Sequence, residues 1–141
     1  MVDKRGGIRM EQDKRSNPFR NLLQIKEIKA ENGVAEIKLE IFPDLLNFSE
    51  NVHGGVLASL IDISIGSAVR TTFDDRYRSA TVELKINYIR PANGSFLLAK
   101  SSLSHRGETL TVGTSEVYND QNQLVAMGTA TFILLKKDKT K

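Results

Sequence analysis

His53-Gly54-Gly55-Val56-Leu57-Ala58-Ser59-Leu60-Ile61-Asp62-Ile63-Ser64-Ile65-Gly66-Ser67-Ala68-Val69 is the stretch around which the chain is organised. From Gly54 to Val69 the only ionisable side chain is Asp62; the rest is Val, Leu, Ile, Ala, Ser and Gly. A helix apolar on nearly all sides is a buried helix. The stretch is too short, and too rich in Ser and Gly, to span a bilayer. Asp62 is therefore expected inside protein, a lone carboxylate in the middle of a central helix. Burial without partners costs a carboxylate several kcal/mol or raises its pKa.

The flanking segments are strands. Ala35, Ile37, Leu39 and Ile41 alternate with Glu36, Lys38 and Glu40, a half-buried strand stopped by Pro43. Before it, Leu23, Ile25 and Ile28 alternate less cleanly, and Asn32-Gly33 is a strong hairpin signal between the two. Asn17-Pro18 marks a turn. After the helix, Ala80, Val82, Leu84, Ile86 and Tyr88 alternate with polar residues up to Pro91 and Asn93-Gly94. Three more strands are expected over 95–104, 109–118 and 123–136. Short turns between such strands predict an antiparallel meander. The fold class is α+β, one curved antiparallel sheet wrapped around one long helix. One helix face and the sheet edges stay open in a monomer, which predicts oligomerisation.

The chain has 141 residues, enough for one domain with a real core. It has no cysteine, hence no disulfide framework, thiolate nucleophile or thiolate metal site. This composition fits a cytoplasmic protein. No secretory signal or membrane-spanning run is visible. Net charge is +3, and much of the excess lies in Lys4, Arg5, Arg9 and Lys14 near the start and Lys136, Lys137 and Lys139 near the end. Basic residues do not interleave with aromatics as a nucleic-acid platform requires. The two histidines, His53 and His105, lie far apart with no ligand cluster, so no metal site is expected.

This order of elements resembles the hotdog-fold acyl-CoA thioesterases, and within them the phenylacetate-pathway (PaaI-like) branch. The shared features are Asn47 six residues before His53, the His-Gly-Gly turn, and Asp62 nine residues after His53. The strand end Tyr88-Ile89-Arg90-Pro91 and the turn Arg106-Gly107-Glu108-Thr109 complete the set. The resemblance implies a hotdog domain over 21–137, preceded by a flexible or short-helical segment 1–20 and followed by a tail 138–141. It implies hydrolysis of an aryl- or acyl-CoA to free acid and CoA, with CoA as part of the substrate and no other cofactor.

The resemblance also assigns roles. Asp62 is general base for water or direct nucleophile, and residue chemistry alone leaves both open. The Gly55 amide, at the helix start, polarises the thioester carbonyl as an oxyanion-hole donor, while Gly54 lets the acyl oxygen approach. Asn47 positions the carbonyl or the water, although Asn51 is near enough to compete. His53 orients the thioester or, alternatively, only braces the backbone. Thr81 assists water binding. Arg90, beside Pro91, and Arg106 are candidate phosphate contacts, with Gly107, Glu108 and Thr109 against the pantetheine or nucleotide. Glu108 stands where a basic residue is frequent in the family, which weakens a nucleotide clamp there.

In this branch the site lies between two subunits, Asp62 and Thr81 from one, and Asn47, His53 and Gly55 from its mate. The minimal unit is then a homodimer, and the branch implies a homotetramer. Leu45, Leu46, Phe48, Leu57, Leu60 and Phe73 are candidate walls for the acyl group. Two other activities use the same fold: acyl-CoA binding without turnover, and enoyl-CoA hydration or dehydration.

Overall fold

The computed structural model describes residues 17–138, together with the backbone of a two-residue ladder, Val2–Asp3 against Gly6–Gly7. Apart from that ladder, the expectations for 1–16 and for the tail beyond 138 lie outside the described residues.

A short helix, α1 (Pro18–Leu22), follows the Asn17-Pro18 turn signal, at the end of the segment read as flexible or short-helical. The Asn17 side chain accepts from the Phe19 N–H at 2.9 Å, and Pro18 holds the first helical position, where its missing donor costs nothing. The first strand accordingly starts later than expected, as β1 (Lys26–Glu31). It turns into β2 (Val34–Glu40) through Asn32 at φ 50° and Gly33 at φ 79°, the left-handed pair that a two-residue hairpin needs.

An irregular segment with one 3-10 turn, Pro43–Leu45, leads to the central helix α2 (Gly54–Arg70). Then come β3 (Tyr77–Tyr88), β4 (Phe96–Arg106), β5 (Leu110–Asn119) and β6 (Leu124–Lys136). The six strands form one antiparallel sheet in the order β1-β2-β4-β5-β6-β3. The meander therefore holds for β4, β5 and β6 but not for β3, which pairs with β6 at the far edge. The connection from β3 to β4 does not hairpin: the Ala92 carbonyl accepts from Val52 N–H at 2.8 Å, and Ala92 is buried in the core. That anchoring carries the chain across to the other side of the sheet.

The helix lies on one face of the sheet. Leu57, Leu60, Ile61, Ile65 and Val69 pack into a core with Ile37, Leu39, Leu97, Val117 and Val125. Small residues on the sheet let the helix sit close. A Cβ on Gly113 would come within 2.7 Å of Ile65 Cγ2, and one on Gly128 would overlap the Lys85 carbonyl oxygen. The hydroxyls buried in this contact are bonded. Ser64 Oγ and Ser115 Oγ lie 2.7 Å apart, and Ser101 Oγ donates to the Ser64 carbonyl at 2.7 Å.

Close approach at Gly128 sets an expectation. Gly128→Ala should destabilise the fold by about 1–3 kcal/mol, because backbone rather than a flexible side chain must move. Urea denaturation checks this, and an unchanged midpoint would contradict it.

Candidate active site

Turning Leu60, Ile61, Ser64 and Ile65 toward the sheet leaves Asp62 on the helix flank that faces β3. There Thr81 Oγ1 donates to Asp62 Oδ1 at 2.8 Å. Asp62 Oδ2 has no partner among the described residues. The carboxylate is half-buried, not enclosed as the all-apolar helix predicted. The sheet wraps only one side of α2, so a single chain leaves the other side open. Thr81 itself is exposed on the edge strand.

The other cluster forms where α2 begins. His53 caps the helix: its Nδ1 accepts the Gly55 N–H at 2.8 Å, and its carbonyl accepts from Val56 and Leu57 at 2.9 and 3.3 Å. The Gly55 amide, expected to face a carbonyl, is thus already engaged. The Gly54 N–H is the one in this turn with no acceptor among the described residues. Asn51 does not cap the helix; its Oδ1 accepts from Asn93 Nδ2 at 3.0 Å.

Asn47 lies at the tip of a small hairpin, in which Leu46 bridges Val52 and Asn47 N–H bonds the Asn51 carbonyl at 2.8 Å. Its Oδ1 accepts from the Ser49 and Asn51 amides at 2.9 and 3.1 Å. The side chain therefore offers outward only its Nδ2 donor. Of the expected pocket walls, Leu45, Leu57 and Leu60 are core residues and Phe48 is fully exposed.

One residue escaped the sequence reasoning. Tyr88 donates its hydroxyl to the Gly54 carbonyl at 3.1 Å, and its ring lies 3.4 Å from where a Gly54 Cβ would stand. Its place in the Tyr88-Ile89-Arg90-Pro91 strand end was the available signal, but alternation alone made it one more apolar strand position.

Sheet register separates the candidate residues into two groups. Arg106 pairs with Thr111, Thr111 with Phe132, and Phe132 with Thr81. The turn carrying Gly107, Glu108 and Thr109 therefore sits on the sheet row of Thr81 and Asp62. Gly107 closes that turn, its N–H bonding the Leu110 carbonyl at 2.9 Å. Tyr88, Arg90 and Pro91 lie at the opposite end of β3, with His53, Gly54 and Asn47. At 3.3 Å per residue the strand carries Tyr88 about 23 Å from Thr81. Along the helix, His53 and Asp62 are about 13 Å apart. The chain thus brings Asp62 and Thr81 together, and His53, Gly54 and Tyr88 together, but not the two groups.

The resolved pKa shifts lie away from both groups. Asp74, bonded by the Arg76 side chain and amide in the loop after α2, is lowered to about 2. Asp120 is lowered by the Ser95 amide and hydroxyl. Among the described residues no three His, Asp or Glu side chains gather as a metal site, and no helix is long and apolar enough to cross a membrane.

A six-stranded antiparallel sheet around one helix, with a carboxylate on the helix flank and a glycine-rich helix start, is the hotdog architecture. Residues 50–126 match the Thioesterase superfamily, and the chain belongs to that family. It is 28% identical over 132 residues to the medium/long-chain acyl-CoA thioesterase YigI of Salmonella typhimurium, covering 83% of this chain and 85% of the relative. The YigI of Escherichia coli K12 is equally similar. Among solved structures, the BH2602 protein of Bacillus halodurans, determined with CoA, is 35% identical with a TM-score of 0.81 over 94% of this chain and 88% of that one. PA5202 of Pseudomonas aeruginosa is 31% identical with a TM-score of 0.83 over 88% and 98%. The protein is a thioester hydrolase with acyl-CoA thioesterase relatives.

His53 has a structural share in this site that can be measured. His53→Ala should cost about 1 kcal/mol, the usual loss when a helix N-cap is removed. Urea denaturation would read it, and a stability equal to wild type would show that the Gly55 amide does not depend on the imidazole.

Proposed function

We propose that the protein hydrolyses an acyl-CoA at a site completed by two copies of the chain. Asp62 and Thr81 come from one copy, and His53, Gly54 and Asn47 from the other. The observation that carries this is the separation just described. A carboxylate with one free oxygen and a helix-start amide with no acceptor are what thioester hydrolysis needs, yet one chain holds them about 12 Å apart along the helix.

The edge strand supports the pairing. β3 is a long sheet edge with Val82, Leu84 and Tyr88 exposed, and Ile89 just beyond it, a surface that single chains seldom leave bare. Two β3 strands paired antiparallel about a two-fold axis near Leu84 and Lys85 set Thr81 opposite the partner's Tyr88. Each Asp62 then approaches the other copy's helix start.

In such a site the Gly54 N–H, not that of Gly55, receives the thioester oxygen, aided by the partial positive charge of the helix N-terminus. Asn47 Nδ2 is a second donor. Asp62 Oδ2 takes a proton from water as the water oxygen bonds to the carbonyl carbon, or attacks that carbon itself to give, once the thiolate has left, a mixed anhydride whose acyl C–O bond a water then breaks to release the acid and restore the carboxylate; Thr81 fixes the other carboxylate oxygen in either case. Collapse of the adduct breaks the C–S bond, and the electron pair leaves on the CoA sulfur, which takes up a proton. Arg106 and Arg90, exposed near the two halves, are available to the CoA phosphates, with Pro91 and the backbone of Gly107, Glu108 and Thr109 lining the approach. Glu108 beside Arg106 argues for loose nucleotide contact.

The relatives named for medium and long acyl chains favour an alkyl acyl group over an aryl one. An acyl-CoA panel scored by thiol release tests both points. Medium or longer acyl-CoA should be cleaved, and Asp62→Asn should lower the rate by about a hundredfold or more while remaining folded. No thiol from any member would contradict hydrolysis and leave acyl-CoA binding alone; hydration of an enoyl-CoA would favour the hydratase chemistry.

A further inference from the structure

The peptide joining Gly54 to Gly55 is bonded at both ends by side chains. Its carbonyl, Gly54 O, accepts the Tyr88 hydroxyl at 3.1 Å. Its N–H, that of Gly55, donates to His53 Nδ1 at 2.8 Å. A donor on a peptide oxygen polarises that peptide and strengthens its N–H as a donor. Phenol, peptide and imidazole therefore form one chain of hydrogen bonds. An Nδ1 that accepts carries no proton, so the neutral imidazole bears its proton on Nε2.

Tyr88 gains little from ordinary packing, since it is 55% exposed. Its ring nevertheless lies against Gly54, and its hydroxyl turns back to the backbone. Gly55 contributes by its lack of a side chain, because a Cβ there would stand 3.1 Å from His53 Nδ1.

We infer that Tyr88 is a positioning residue. Through the peptide between Gly54 and Gly55 it holds His53 as the Nε2–H tautomer. It thereby keeps the Gly55 amide on the imidazole, leaving the Gly54 amide open to a ligand and Nε2–H as an outward donor beside it. The catalytic consequence rests on the thioesterase site proposed above; the tautomer does not.

The two parts are read separately. The chain has two histidines, His53 and His105, so nitrogen NMR of the full-length protein resolves both imidazoles, and His105→Gln assigns them. Wild type should show His53 protonated on Nε2 with Nδ1 as acceptor; a His53 protonated on Nδ1 would overturn the inference without any variant. Tyr88→Phe keeps the ring and removes only the hydroxyl. It should shift His53 toward a mixture of tautomers and lower kcat about tenfold on an acyl-CoA that wild type cleaves, with KM changed no more than about twofold. An unchanged tautomer in Tyr88→Phe would overturn the relay. A changed tautomer with unchanged kcat would remove the positioning role. A wild type that cleaves no acyl-CoA would refute the proposed function instead, with the spectra still deciding the relay.

Discussion

Eight residues of α-helix lie between His53 and Asp62, and the rise of a helix cannot be folded up. Each residue adds about 1.5 Å, so the two ends of the chemistry are held apart by the same element that builds the core. The helix is stiff because its buried face is locked onto the sheet: Ile65 sits over Gly113, Ile61 packs beside Gly128, and Ser64 bonds Ser115. Nothing in one chain can bring Gly54 to Asp62 without undoing that packing.

The sheet repeats the same division. The row through Arg106, Thr111, Phe132 and Thr81 marks one end of β3, and Tyr88 marks the other. In the proposed dimer, a two-fold axis across the β3 edge reverses one copy against the other and juxtaposes unlike ends. The open helix flank, the unpaired edge and the divided site thus have a common resolution. In the proposed dimer the half-burial of Asp62 in a single chain is accounted for by a wall from the second copy.

Much of this was legible from the residues. Alternation in 35–41 and 80–88 marked strands, Asn32-Gly33 marked its hairpin, and the lone Asp62 marked a carboxylate on the central helix, where Thr81 bonds it. Other features were not. The place of β3 at the far edge depends on Ala92 being drawn into the core, a tertiary event that Pro91 and Asn93-Gly94 do not announce. Which of the Gly54 and Gly55 amides is left open turns on which one the His53 ring reaches, and that is a matter of side-chain direction. Tyr88 was hidden for the same reason, since its hydroxyl counts only once Gly54 is seen beside it.

Mixing two damaged chains tests the shared site most directly. Asp62→Asn and His53→Ala each spoil one contribution, so a heterodimer of the two holds one doubly damaged site and one intact site. Purified variants, unfolded and refolded together in equal amounts, form heterodimers as half of all dimers. Recovery of about a quarter of the wild-type thiol release is the predicted result. If the mixture is no more active than the average of the two variants alone, while refolded wild type regains its activity, the catalytic groups do not come from different chains.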